Sequence, residues 1–277
     1  MRASVLCLTA LVLGTLARPA GAWGIYTHAL IAERAYGVLV PKEPWLAAHR
    51  EAFLWGAVGP DLDRVAEMRA RRTHSPELAD TLWSLSSRSG DDDARAFALG
   101  WAASVGSDQV SQTLDGAAHQ LRGMAGVPHG VPDAALIAWT ADSALMGLSD
   151  HTLNDLFDAT VAIAVSPAAG AVRQLLSATL GIDEVTYRAW TDRIASMSQQ
   201  GPDQYLHQDA DWLGVRPYVP VLRTANARVA LGRPEDLLGR AVDAGVSASR
   251  QLLAQIPHNP RLPGYESKNA HPERKKP

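Results

Sequence analysis

Two nitrogen donors lie close together where an apolar N-terminal segment ends. Residues 1–22 carry an early charge at Arg2, then an apolar run, and end in Ala-Gly-Ala, the small-x-small pattern of a secretory cleavage site. Cleavage there makes Trp23 the first residue, and its free amine, with an ordinary pKa of about 7.7–8.0, is partly unprotonated near neutral pH. His28 follows where a helical pattern begins. We therefore expect the Trp23 amine and carbonyl and the His28 imidazole to chelate a metal ion.

Two further candidate ligands are predicted to lie on loops beside helix ends. Asp61 follows a Gly-Pro turn, and His74 comes just before a helix start in which Ser75 is the predicted N-cap and Pro76 the first helical residue. Taken alone, Asp61 is better explained as the N-cap of a helix over 63–72 than as a ligand.

Together these residues resemble a known family. An N-terminal Trp23, a Thr-His pair ending at His28, the motif Gly-x-x-x-Pro-Asp ending at Asp61, and a second Thr-His pair ending at His74 are similar to bacterial zinc-dependent phospholipase C enzymes and the related zinc-dependent single-strand nucleases. The likeness extends over residues 23–142. It implies that Asp61 and His74 bind one zinc ion, with a bridging aspartate further along the chain.

The bridging aspartate of the family corresponds to Asp108, but several neighbouring ligands are replaced. The family has His four residues before this Asp, a spacing that puts both donors on one helix face, and another His six residues after it. This chain has Ser104 and Leu114 there. Where the family has His-x-x-x-Glu, this chain has Ala138 and Asp142. Ser104 could hydrogen-bond a water, and Asp142 alone makes at most a weak metal position.

The surviving positions predict one to two bound zinc ions. Trp23, His28 and Asp108 make a complete first site. Asp61, His74 and the shared Asp108 make a second site that lacks one protein ligand. The third site of the family keeps only one carboxylate, and we expect it to be empty.

Four other histidines lack a supporting pattern. His119 lies on the predicted helix of Asp108 but about 16 Å further along its axis, too far to share one ion. His129 lies in a Gly/Pro-rich loop and is expected to be exposed. His151 has an aspartate at i+4, although a helix N-terminal turn explains that segment better. His207 is expected to be structural or on the surface.

The composition favours an all-α fold, a single multi-helix bundle of the phospholipase C or nuclease type. Hydrophobic residues make up 47% of the chain, which is rich in the helix formers Ala, Leu and Arg. We expect one domain over 23–256 and a disordered polar tail over 257–277. Helical spacing predicts helices over 27–39, 45–55, 76 onward, 94–124, 133–148, 167–180, 183–198, 218–231 and 234–255.

Charge and cysteine content narrow the class of protein. The formal net charge is −3, and loss of Arg2 and Arg18 with the leader makes it more negative, which argues against a stable nucleic-acid complex. The single cysteine, Cys7, also lies in the leader, so any zinc must be bound by nitrogen and oxygen ligands. No later apolar run approaches the ~20 residues of a membrane span. We expect a secreted or periplasmic product.

The resemblance implies an exported phosphodiester hydrolase in which a metal-bound hydroxide attacks the substrate and Asp61 acts as general base. Phospholipid is favoured over single-stranded nucleic acid, because the Pro-Asp motif is closer to the phospholipase branch and the chain is acidic. One alternative is a catalytically degenerate zinc-binding domain. The other is a helical domain whose histidines serve only the core.

Overall fold

The computed structural model describes residues 23–64, 73–149, 155–156, 168–223 and 230–256, and every regular element within them is helical. This confirms the predicted all-α class. The predicted leader 1–22, the predicted tail 257–277, most of the segment 63–72 and His151 lie outside the described residues. The described α-helices of eight or more residues are α1 Ile25–Leu39, α2 Arg50–Ala57, α3 Pro76–Ser89, α4 Asp92–Ser111, α5 Asp115–Ala125, α6 Asp133–Met146, α7 Ala168–Leu180, α8 Glu184–Ser198, α9 Pro202–Trp212 and α10 Pro234–Gln255.

Helix α4 lies at the centre of the described core. Every residue from Ala94 to Asp108 is buried, as expected of a helix packed on all sides. Helices α2, α3 and α10 all pack against it. The crossing with α2 is close, because a Cβ at Gly56 would lie 1.9 Å from the Phe97 carbonyl oxygen and one at Gly100 would lie 1.8 Å from that of Phe53. Only glycine fits at these two positions.

Helix α10 has the bounds that the apolar stripe of the sequence predicts, 234–255. Its buried side chains face α4, and the Ser249 hydroxyl donates a hydrogen bond to the Leu99 carbonyl at 3.1 Å. None of the helices in the described part of the chain is both long and apolar enough to cross a membrane.

One predicted helix was wrong in its extent, and one helix was not predicted. The predicted helix over 94–124 is interrupted by a 3-10 turn at Gln112–Leu114. At this break the Ser111 and Thr113 hydroxyls donate to the Asp108 and Val110 carbonyls at 2.6 and 2.7 Å, so the side chains compete with the backbone for acceptors. Helix α9 was not predicted.

Side chains of the preceding residue cap the starts of some helices but not of α1. The Ser75 hydroxyl accepts from the Leu78 amide at 3.2 Å, which confirms the predicted cap of α3, and Asp91 caps α4 in the same way. Helix α1 begins after Gly24, which has no side chain to accept a hydrogen bond. Its first turn must therefore find an acceptor elsewhere.

Candidate metal centre

The described residues contain a buried cluster of two histidines and one aspartate that could hold a metal ion. One ligand atom from each of His28, His74 and Asp108 lies within 4.8 Å of the other two. Asp108 is in the middle, with Oδ2 at 2.7 Å from His74 Nδ1 and Oδ1 at 3.5 Å from His28 Nε2. The three side chains are at most 5% exposed. Residues predicted as ligands from widely separated motifs therefore meet at one point.

One face of α4 builds most of this cluster. Trp101, Ser104 and Asp108 lie at spacings of three and four residues, which places their side chains on the same face. Asp108 contacts both histidines, Ser104 contacts His28, and Trp101 contacts the loop that carries His74. Sequence reasoning missed Trp101, although its spacing from Ser104 and Asp108 was a signal for it.

Ser104, which stands where the resembling family has a histidine, contacts and orients His28. Its hydroxyl is 2.9 Å from His28 Nδ1. The other ring nitrogen, Nε2, is buried and makes no hydrogen bond with any described residue. If Nδ1 donates to Ser104, Nε2 carries a lone pair directed to the side of Asp108, which is the arrangement in which metal-binding histidines are held.

His74 is positioned through its neighbour in the chain. The indole N–H of Trp101 donates to the Thr73 carbonyl at 2.8 Å, and both residues are fully buried. The Trp101 ring also fills the space beside Gly59, where a Cβ would come within 2.4 Å of it. Trp101 thus contacts the loop before α3 and the turn that carries Asp61.

Trp23 enters the cluster through its backbone nitrogen. This nitrogen is 3.4 Å from Asp108 Oδ1, and the indole N–H donates to the Ser107 carbonyl at 3.0 Å. The side chain is 1% exposed. The indole therefore holds residue 23 against α4, with its nitrogen next to the carboxylate that contacts both histidines.

Asp61 and Asp142 are not members of the three-residue cluster found among the described residues. Asp61 is fully buried in the 3-10 turn Gly59–Arg64, and among the described residues its carboxylate does not join the mutually close ligand atoms. Asp142, also fully buried, accepts hydrogen bonds from the first turn of α1 and from Tyr205. No group of three or more potential ligands among the described residues includes Asp142, so its predicted role as a weak metal position gains no support.

The remaining described histidines lie outside the cluster. His119, His129 and His207 are exposed, as expected for the latter two. His207 Nδ1 lies 2.8 Å from the Asp203 carbonyl oxygen, an acceptor one helical turn away on α9. None of these three joins the cluster, so none replaces the histidines that the resembling family has at the positions of Ser104 and Leu114.

The cluster fits a divalent ion by donor chemistry, and its His28–Asp108 pair also fits by spacing, whereas the 2.7 Å between His74 Nδ1 and Asp108 Oδ2 is a hydrogen-bond distance. Zinc binds imidazole nitrogen and carboxylate oxygen at about 2.0–2.2 Å, so two ligands of a tetrahedral ion lie roughly 3.3 Å apart. The 3.5 Å from His28 Nε2 to Asp108 Oδ1 is close to that value, and Nε2 is a buried polar atom that lacks a hydrogen bond. Such an atom is costly to bury unless something binds it.

Comparisons with protein-family models, with curated proteins and with solved structures found no match for this chain. The site must therefore be interpreted from its own geometry.

We expect Ser104→Ala to weaken zinc binding by about 10- to 100-fold without lowering the number of ions bound at saturation, because an outer partner of a ligand histidine is lost rather than a ligand. Competition with a chromogenic chelator measures the affinity. Ser86→Ala, which removes an equally buried hydroxyl from α3, is the matched control and should leave the affinity unchanged. A fall in zinc per chain for Ser104→Ala would instead make Ser104 a ligand.

Proposed function

We propose that this chain is an exported zinc-dependent phosphodiester hydrolase, most similar in chemistry to phospholipase C. The observation that carries the proposal is the convergence of His28, His74 and Asp108, with the Trp23 nitrogen beside them. Two imidazoles, a carboxylate and an N-terminal amine form the all-nitrogen-and-oxygen donor set required of a chain whose single cysteine is Cys7.

The residues of such a site would have two roles, binding the ion and orienting a ligand. His28, His74, Asp108 and the Trp23 amine would hold the ion, and Ser104 would orient His28. When bound, a zinc ion supplies Lewis acidity, which polarises a phosphoryl oxygen and lowers the pKa of water. Substrate would approach from the side of His74, whose side chain is the most exposed of the three at 5%. The acidic net charge favours a phospholipid over single-stranded nucleic acid as substrate.

A second candidate is a catalytically degenerate zinc-binding domain. It is favoured by the near-complete burial of the cluster and by the positions of Ser104 and Asp142, which make hydrogen bonds within the protein. In such a protein the ion would stabilise the packing of α1 and the loop before α3 against α4. It would not turn over a substrate.

Zinc content and turnover together test the proposal. Protein that begins at Trp23 should bind one to two zinc ions and hydrolyse a chromogenic phosphocholine ester, and a chelator should abolish that activity. His74→Ala should lower zinc per chain, because it removes the nitrogen next to Asp108 Oδ2. His119→Ala, which removes an exposed imidazole from α5, is the matched control and should change neither zinc nor activity.

Each outcome separates the candidates. Absence of zinc contradicts both, whereas bound zinc without chelator-sensitive turnover on any phosphodiester supports the degenerate domain. Three tightly held ions per chain would show that a histidine outside the cluster supplies further ligands. Turnover of single-stranded DNA in preference to the phosphocholine ester would place the chain with the nucleases instead.

A further inference from the structure

Asp142 makes an unusual set of contacts for a buried carboxylate. It is fully buried on α6, and its two oxygens accept four hydrogen bonds from the protein. Thr27 donates to Oδ1 through its amide at 3.0 Å and its hydroxyl at 2.5 Å. The Tyr26 amide and the Tyr205 hydroxyl donate to Oδ2 at 3.2 and 2.6 Å. Four donors and no acceptor suit an ionised carboxylate.

Tyr205 completes this arrangement. Its hydroxyl, which donates to Asp142, also accepts from the Tyr26 amide at 3.0 Å. Burial, together with the neighbouring Asp142 and Asp209 carboxylates, raises the pKa of Tyr205 well above its ordinary value, so this hydroxyl keeps its proton. Burial also raises the pKa of Asp142, although the hydrogen bonds from Thr27 and Tyr205 act in the opposite direction.

The amides of Tyr26 and Thr27 belong to the first turn of α1, where backbone N–H groups have no partner within the helix. An N-cap side chain normally accepts from this turn, but α1 begins after Gly24. Asp142 takes the place of that side chain from another helix. Gly24 leaves the room for it, because a Cβ there would lie 2.2 Å from Asp142 Oδ2.

From these contacts we propose that Asp142 is a positioning residue for the metal centre and not a metal ligand. The proposal rests on the proposed metal centre. Trp23 immediately precedes the capped turn, and His28 follows it, with its amide donating to the Gly24 carbonyl at 3.0 Å. By fixing this turn against α6, Asp142 holds the Trp23 nitrogen and the His28 ring at Asp108. The Asp142 carboxylate thus accepts hydrogen bonds from the first-turn amides of α1 and does not bind an ion.

The alternative is that Asp142 binds a zinc ion of its own, as the family resemblance implies for this position. Its oxygens already accept hydrogen bonds from three residues, and in the described part of the chain the only group of three or more potential ligands is His28, His74 and Asp108. A ligand and a positioning residue differ in what their removal changes. Loss of a ligand lowers the number of ions, whereas loss of a positioning residue lowers the affinity.

Zinc affinity and zinc per chain at saturation should therefore be measured for Asp142→Ala and Asp142→Asn in protein that begins at Trp23. We expect Asp142→Ala to weaken binding by about 10- to 100-fold, the range for loss of an outer-shell partner, with the number of ions unchanged. Asp142→Asn should lie between it and the native protein, because an amide oxygen still accepts from Thr27. A lower ion count in both variants, or unchanged affinity in Asp142→Ala, would overturn the proposal.

Asp183→Ala is the matched control, because Asp183 caps α8 by accepting from the Thr186 amide at 2.7 Å. It removes a helix cap, yet it should leave zinc affinity unchanged. If Asp142→Ala does not fold, Asp142→Asn carries the comparison. Equal zinc affinity for Asp142→Asn and Asp183→Ala would then count against the positioning role.

Hydrogen exchange in zinc-free protein separates this inference from the proposed function. The Thr27 amide, which donates to Asp142 Oδ1, should exchange faster in Asp142→Ala than in native protein or in Asp183→Ala, whereas the Tyr26 amide keeps the Tyr205 hydroxyl as a second acceptor. This result supports the cap even if the native chain binds no zinc, an outcome that would overturn the metal centre. Equal exchange in all the proteins would overturn the cap whatever the zinc content.

Discussion

Asp108→Asn is expected to weaken zinc binding by more than about 100-fold, beyond the 10- to 100-fold range for loss of an outer-shell partner. The carboxylate lies next to both histidines, 2.7 Å from His74 Nδ1 and 3.5 Å from His28 Nε2, and 3.4 Å from the Trp23 nitrogen. Asparagine keeps the volume but is neutral and offers one oxygen in place of two. Chelator competition measures the loss, and circular dichroism checks that the total helix content is unchanged.

The control for this change is Asp61→Asn, which also neutralises a fully buried carboxylate. Because Asp61 lies outside the group of mutually close ligand atoms, the Asp61→Asn protein should lose less zinc and less activity than the Asp108→Asn protein. If the two variants retained equal zinc, Asp108 would not be the shared ligand. The prediction that Asp61 acts as a general base requires a separate result, a fall in turnover at full zinc occupancy.

The convergence of His28, His74 and Asp108 followed from motif spacing and family resemblance together. No local pattern links these three residues, which lie on α1, on the loop before α3 and on α4. The resemblance supplied the long-range information that spacing alone cannot. It was less informative at Ser104 and Asp142, where this sequence differs from the pattern of the family that it resembles.

The contacts of Asp142 could not be predicted from the sequence. Its hydrogen bonds to Thr27 and Tyr205 span 115 and 63 residues. A local cap is recognisable because the acceptor precedes its helix by a fixed number of residues, as with Ser75. A cap donated by another helix has no such spacing, and the only local sign is the absence of a capping side chain at Gly24.

Helix positions show the same division between local and long-range determinants. The bounds of α10 follow from an apolar stripe and Pro234, and the start of α3 follows from Ser75 and Pro76, all of which are local signals. The break at 112–114 depends instead on which carbonyls the Ser111 and Thr113 hydroxyls reach once the helix is packed. Periodicity continues across that break and so predicted one helix.

The second large effect concerns the chain start. One extra Met before Trp23 should abolish zinc binding at the first site, because it converts the amine into an amide, which has no lone pair available to a metal, and places the new amine about 3.8 Å further along the chain. The chain cannot slide to compensate. The Trp23 indole is buried and donates to the Ser107 carbonyl at 3.0 Å, which holds residue 23 against α4.

Trp23→Phe with the correct start is the matched variant, because it keeps the amine and the carbonyl and loses the indole hydrogen bond and part of the buried ring volume. Both losses lower the stability, the hydrogen bond by on the order of 1 kcal/mol, but the two donors of the chelate remain and zinc should stay bound. The measurement is zinc per chain for three proteins: the native start, the one-residue extension and Trp23→Phe. Full occupancy in the extended protein would exclude the N-terminal chelate and leave His28, His74 and Asp108 as the entire protein contribution. Zinc loss confined to the extended protein would mean that the site requires a free amine at Trp23, which the predicted cleavage before this residue would supply.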